Sequence, residues 1–245
     1  MSKQTTSEDL VPMLGLQKVG DRRNFLKFSG AAIASTGILL SGCQEVFEEL
    51  PNARKTGKGQ EVRAVPLGKG DIGILNYAYA LEQLEAAFYL MVVANMYAGI
   101  SPSEKVMMED IKNHEVAHRD FLKAALGKNA IIDLSFDFSS VNFNERSSVL
   151  ATAKTFEDLG VAAYNGAGQL LESADYLLIA GKIVSVEARH AAAIRSILDA
   201  DPRSFAGADV IDANGLDRAF SPTMVLEMAA PFITNKIIAN QLPTS

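Results

Sequence analysis

The sequence predicts an all-α fold: a four-helix bundle with one long crossover connection and a short helical extension after it. Three observations carry that prediction. Four long stretches place apolar residues at the three- and four-residue spacing of a helix. The segment between the second and third of them, residues 128–145, is long and shows no helical period, as a crossover along a bundle requires. Finally, one arrangement of acidic, phenolic and imidazole side chains occurs twice in the same order. Glu82 and Tyr89 precede Glu115 and His118, and Glu157 and Tyr164 precede Glu187 and His190.

Residues 1–42 read as an export signal rather than as structure. Arg22-Arg23-Asn24-Phe25-Leu26-Lys27 resembles the twin-arginine motif of bacteria, with Asp21 where serine or threonine is usual. The weakly apolar run that follows, around residues 31–40, is too short to span a bilayer. It ends in Leu40-Ser41-Gly42-Cys43, which resembles a lipobox, so Cys43 is expected to carry a lipid. Cys43 is the single cysteine of the chain, which excludes a disulfide within it. Acyl chains at about 0.8 kcal/mol per buried methylene make such an anchor stable. Residues 43–70 mix charges with glycine and proline and read as a tether.

The bundle is expected over residues 71–200. The first helix covers 71–94, where Leu75, Ala78, Tyr79, Ala86, Tyr89 and Val93 share the face of Glu82, and it stops near Gly99. Ser101-Pro102-Ser103-Glu104 opens the second helix with a capping box and a proline in the first turn. That helix runs to about Leu126-Gly127. After the alternating, extended crossover come a third helix from about 147 to 171 and a fourth from about 174 to 200, stopped by Pro202. Gly160, Gly166 and Gly168 inside the third helix lower its propensity and leave room for a neighbouring helix to come close. Within residues 201–245, Ser221-Pro222 starts a short fifth helix that packs on the bundle.

The repeated residues form a candidate metal site. Three residues along a helix advance by about 300°, so Glu115 and His118 share a face, as do Glu187 and His190. Seven residues advance by about 700°, close to two turns, which sets Tyr89 on the stripe of Glu82 and Tyr164 on that of Glu157. Those phenols can hydrogen-bond carboxylates on a facing helix and fix their orientation. The four glutamates sit among apolar neighbours, unlike solvated surface acids. Their four negative charges balance two divalent cations if both imidazoles are neutral. Without cations, each carboxylate pair at 4 Å repels by about 4 kcal/mol at an effective dielectric of 20. Glu85 also has apolar neighbours and competes with Glu82 for the first position. The spacing to Tyr89 favours Glu82. His114, one turn before His118, fits a capping or orienting role better than direct coordination.

With Glu82, Glu115, His118, Glu157, Glu187 and His190, the chain resembles the ferritin-like di-iron carboxylate proteins. Their bundles carry a glutamate from each of two helices and Glu-x-x-His from each of the other two. Leu81-Glu82-Gln83-Leu84-Glu85-Ala86-Ala87-Phe88-Tyr89 and Pro231-Phe232-Ile233 further resemble the secreted bacterial ferritin-like and plant desiccation-related type. The resemblance implies two divalent ions, iron first and manganese as the alternative. It also implies an oxidoreductase acting with dioxygen, peroxide or ferrous iron. A non-catalytic, metal-stabilised envelope protein of stress or desiccation and a dimanganese catalase-like enzyme are the alternatives. Location on the periplasmic side of a bacterial envelope follows from Arg22, Arg23 and Cys43. The expected partners are metal ions, the membrane through Cys43 and the twin-arginine export machinery, with a homodimer left open. The net charge of −6 gives no reason for a nucleic-acid partner.

Overall fold

The computed structural model describes residues 64–244; the export motif at Arg22 and Arg23 and the lipidation position Cys43 lie outside them. Four long helices form the bundle: α1 (Gly70–Ala94), α2 (Pro102–Leu126), α3 (Arg146–Gly168) and α4 (Ala174–Leu198). A short α5 (Pro222–Ala229) follows in the C-terminal segment. Among the described residues no helix is long and apolar enough to cross a membrane.

Local sequence sets the helix ends. The Ser101 side chain accepts from the Glu104 amide while the Glu104 carboxylate accepts from the Ser101 amide, closing the capping box at α2. At its other end Gly127 takes a φ of 53°, which a side-chain-bearing residue rarely adopts. Ser173 and Ser221 cap α4 and α5 by accepting from Tyr176 and Met224 amides. α1 ends at Ala94, with Asn95 rather than Gly99 at its C-cap, so Gly99 belongs to the following turn.

α1 is the element around which the others are laid. It is buried over most of its surface, packing on α2, on α3 and under the crossover, which is why apolar residues occur on every side of it. Its buried Asn76 and Gln83 hold the crossover in register. Asn76 donates to the Leu67 and Asn129 carbonyls and accepts from the Ile131 amide, and Gln83 accepts from the Leu134 amide. The crossover continues to a phenylalanine cluster. There Phe88 makes edge contacts with Tyr89, Phe138 and Phe156, and Phe156 with Phe232.

Two features depart from the sequence-based expectation. The folded domain begins before residue 71, within the stretch read as tether: Val65 and Leu67 are buried, and β1 (Val65–Pro66) pairs in parallel with β2 (Ile237–Ile238). Two-residue strands carry no alternation for a pattern to reveal. The second departure concerns the α3 glycines, which do not admit a neighbouring helix backbone. Gly160 faces the Glu85 side chain, Gly166 faces the backbone of Phe220, and Gly168 makes only ordinary contact with Leu177. A contact that the sequence did not point to is made by Arg195, buried in the last turn of α4. It forms two-pronged bonds to Asp158 of α3 at 2.7 and 2.8 Å and to Asp209 at 3.1 and 2.6 Å, and also donates to the Ser204 carbonyl. This tie fastens the C-terminal segment to the α3–α4 hairpin.

The seam at Gly166 is the tightest of these contacts. The Phe220 amide donates to the Ala162 carbonyl at 3.0 Å, and a Cβ at position 166 would fall 1.8 Å from the Phe220 carbonyl oxygen. Backbone cannot yield as a flexible side chain does. Gly166→Ala is therefore predicted to destabilise the protein by about 3 kcal/mol, at the upper end of overpacking costs. Chemical unfolding checks the value, and faster proteolysis near residue 220 checks the location.

Candidate metal centre

The six residues singled out by spacing converge in the middle of the bundle. Glu82 comes from α1, Glu115 and His118 from α2, Glu157 from α3, and Glu187 and His190 from α4. They fall into two overlapping groups, Glu82, Glu115, His118 and Glu187 in one and Glu115, Glu157, Glu187 and His190 in the other. Within each group the donor atoms lie within 4.8 Å of one another. His118 Nδ1 is 2.8 Å from Glu187 Oε1, 3.5 Å from Glu82 Oε2 and 3.7 Å from Glu115 Oε2. His190 Nδ1 mirrors it, 2.8 Å from Glu115 Oε1, 3.4 Å from Glu157 Oε2 and 3.5 Å from Glu187 Oε2.

The two kinds of glutamate are held differently. Tyr164 donates to Glu82 Oε1 and Tyr89 to Glu157 Oε1, each at 2.5 Å and each from the helix facing the acceptor. Glu82 and Glu157 thus have one anchored oxygen and one free oxygen turned to the nearby imidazole. Glu115 and Glu187 have neither oxygen hydrogen-bonded, and each directs one oxygen to each group. Glu82 and Glu157 each belong to one group, whereas Glu115 and Glu187 belong to both, so these two would be shared if each group held an ion.

The decisive observation is what these atoms lack. Ten buried side-chain nitrogen and oxygen atoms among the described residues have no hydrogen-bond partner. Eight of them are the free oxygens of Glu82, Glu115, Glu157 and Glu187 and the Nδ1 atoms of His118 and His190. Some pairs are as close as 2.8 Å, yet they do not meet hydrogen-bond geometry. An orphaned buried carboxylate is among the most destabilising features a fold can carry. The donor set of imidazole nitrogen and carboxylate oxygen is that of Fe, Mn or Zn, so the residues fit a pair of such ions.

Electrostatics leads to the same place. Burial, with Glu187 adding repulsion, pushes Glu82 well above the usual carboxyl range, and burial pushes Glu157 up to about 8. Glu115 goes the other way: burial opposes ionisation, but His118 and His190 outweigh it and hold the group at about 2. Burial likewise disfavours charge on both imidazoles. The surrounding carboxylates, Glu115 foremost, nevertheless raise His118 and His190 to about 12. Protons are therefore the only charge compensation that the side chains themselves supply. Two divalent ions would neutralise the four carboxylates and leave both Nδ1 lone pairs available. Burial and the adjacent carboxylates also raise Tyr89 and Tyr164 well above the ordinary phenol, which keeps both as donors.

Glu82 and Glu85 point to different places. Glu82 enters the first group, whereas Glu85 turns to α3, where a Cβ on Gly160 would lie 3.0 Å from its Oε1. Burial and repulsion from Glu187, Glu115, Glu157 and Glu82 push Glu85 well above the usual carboxyl range. His114 stands outside both groups and contacts His190 from the surface. Apolar neighbours surround both Glu82 and Glu85 on α1, and the place of Glu85 against Gly160 depends on a residue of another helix.

Residues 70–200, more than half of the chain, match the family model of the ferritin-like domain. No curated protein matches the sequence. The helical bundle, the carboxylate and histidine cluster at its centre and the family match agree: the chain belongs to the ferritin-like domain family.

Proposed function

We propose that the protein is an exported, lipid-anchored member of the family that holds a dinuclear iron centre and acts as an oxidoreductase. The two groups of converging donors that share Glu115 and Glu187, eight of whose atoms lack any partner within the protein, carry this reading. Glu82, Glu115, His118 and Glu187 would hold one ion and Glu115, Glu157, Glu187 and His190 the other. Such a pair, when bound, supplies two-electron redox chemistry toward dioxygen or hydrogen peroxide, or takes ferrous iron as substrate. Manganese in the same ligands is the variant the donor set also allows.

The protein's own part in the chemistry is positioning and exclusion of water. All four glutamates are fully buried, while the side chains of His118 and His190 are 15% and 6% exposed, so small molecules reach the centre past the imidazoles. The Tyr164 and Tyr89 hydroxyls keep Glu82 and Glu157 each anchored by one oxygen, whereas both oxygens of Glu115 and of Glu187 lack a hydrogen bond and would be available to hold the ions. Cys43 and the Arg22-Arg23 pair supply the location: a folded, metal-loaded bundle exported through the twin-arginine route and tethered to the envelope.

Two experiments test this reading. The full chain, loaded anaerobically with ferrous ion, is expected to consume peroxide or dioxygen with multiple turnovers while the metal-stripped protein does not. Protein that binds iron but shows neither turnover nor ferrous oxidation contradicts the oxidoreductase assignment. For location, Cys43→Ser is expected to move the protein from the membrane fraction to the soluble periplasmic fraction. Unchanged fractionation contradicts the lipid anchor.

A further inference from the structure

The two groups of ligands are close to mirror images inside the bundle, but their surroundings differ at one atom. His190 Nε2, the nitrogen facing away from the carboxylates, lies 2.9 Å from Nδ1 of His114 on α2. The two ring planes differ by only 7°, and their centroids are 5.1 Å apart. That spacing exceeds the nitrogen–nitrogen distance by roughly one ring radius on each side. The rings therefore lie edge to edge in nearly one plane, not one above the other, and the hydrogen bond runs along both lone-pair directions.

This bond selects a tautomer. For Nδ1 of His190 to present a lone pair to a cation, the ring proton must sit on Nε2. His190 Nε2–H then donates to His114 Nδ1, and the proton of His114 lies on its own exposed Nε2. The bond fixes both the protonation pattern and the plane of the His190 ring.

His118 has no such support. The residue one turn before His190 on α4, where His114 stands relative to His118 on α2, is Val186, which offers no hydrogen-bonding side chain. Among the described residues no hydrogen bond reaches the outward nitrogen of His118, and its side chain is the more exposed of the two, 15% against 6%.

We propose that His114 is a positioning residue for His190, and that it makes the half-site of Glu157 and His190 the tighter one and leaves the half-site of Glu82 and His118 exchangeable. The inference rests on the dinuclear reading above and adds an order of occupancy to it. A pre-oriented imidazole loses less freedom on coordination, and outer partners of metal-bound histidines are worth about 10–100-fold in affinity.

Calorimetric titration of the full chain tests it, with ferrous ion under anaerobic conditions and Zn²⁺ as a redox-inert check. Wild-type protein is expected to bind two ions in two resolved steps. His114→Ala weakens the tighter step about 10–100-fold and changes the other by less than about twofold. His114→Asn, whose side-chain oxygen accepts where Nδ1 does, restores the tight step. Circular dichroism of each variant separates misfolding from lost affinity. In ¹⁵N-labelled, Zn²⁺-loaded protein, the His190 proton is expected on Nε2 in wild type and in His114→Asn. Two equal steps in wild type, or a His114→Ala titration that matches wild type, overturns the inference while leaving the dinuclear centre standing. Equal weakening of both steps without rescue by His114→Asn also overturns it. Failure of folded wild-type protein to bind two ions removes the dinuclear reading itself.

Discussion

Four carboxylates that are inaccessible to solvent and close together set the central constraint on this molecule. A helical bundle of this size has no reason of stability to enclose Glu82, Glu115, Glu157 and Glu187, since each one loses its hydration and repels the other three. Protonating imidazoles and carboxyls relieves the repulsion only in part and leaves lone pairs aimed at empty directions. A pair of divalent cations would offset the charge and take up the unpartnered donor atoms together. The chain's placement of donors on all four helices, and its two tyrosine anchors, become intelligible once that pair is assumed.

The rest of the fold serves the rigidity such a centre needs. Tyr89 and Tyr164 bind each lone glutamate to the opposite helix, so α1 and α3 are tied at two levels, on either side of Gly160 and Glu85. Asn76 and Gln83 stitch the crossover to α1, and Arg195 clamps the C-terminal segment to the helices that carry Glu157 and Glu187. These polar ties lie outside the centre and are fully bonded, in contrast to the centre itself. Among the described residues, eight of the ten unpartnered buried side-chain atoms fall in this one place, the other two being the Tyr77 and Tyr97 hydroxyls, and such a concentration is what a binding centre leaves in a fold.

Much of this was legible from the sequence because helix geometry converts spacing into direction. Offsets of three and seven residues place side chains on one stripe regardless of tertiary context, which is why Glu115 with His118 and Tyr89 with Glu82 could be paired in advance. The turn residues Ser101, Gly127 and Ser221 act locally and were equally readable. What the sequence left open depends on partners distant in the chain. On α1 only the spacing to Tyr89 favours Glu82 over Glu85, and that Glu85 lies against Gly160 of α3 is visible only in the folded chain. Arg195 resembles an ordinary cation in a last helical turn until Asp158 and Asp209 meet it. Val65–Pro66 becomes a strand only because Ile237–Ile238 lies beside it. His114 gains its meaning from a histidine 76 residues away.

Metal analysis of protein purified without oxygen tests the central claim most directly. The account predicts two ions per chain, with Glu115→Gln and Glu187→Gln each losing both because each glutamate serves both groups, and Glu82→Gln and Glu157→Gln each losing one. A wild-type chain that carries no more than one ion, or a bridging-position variant that retains two, would contradict it.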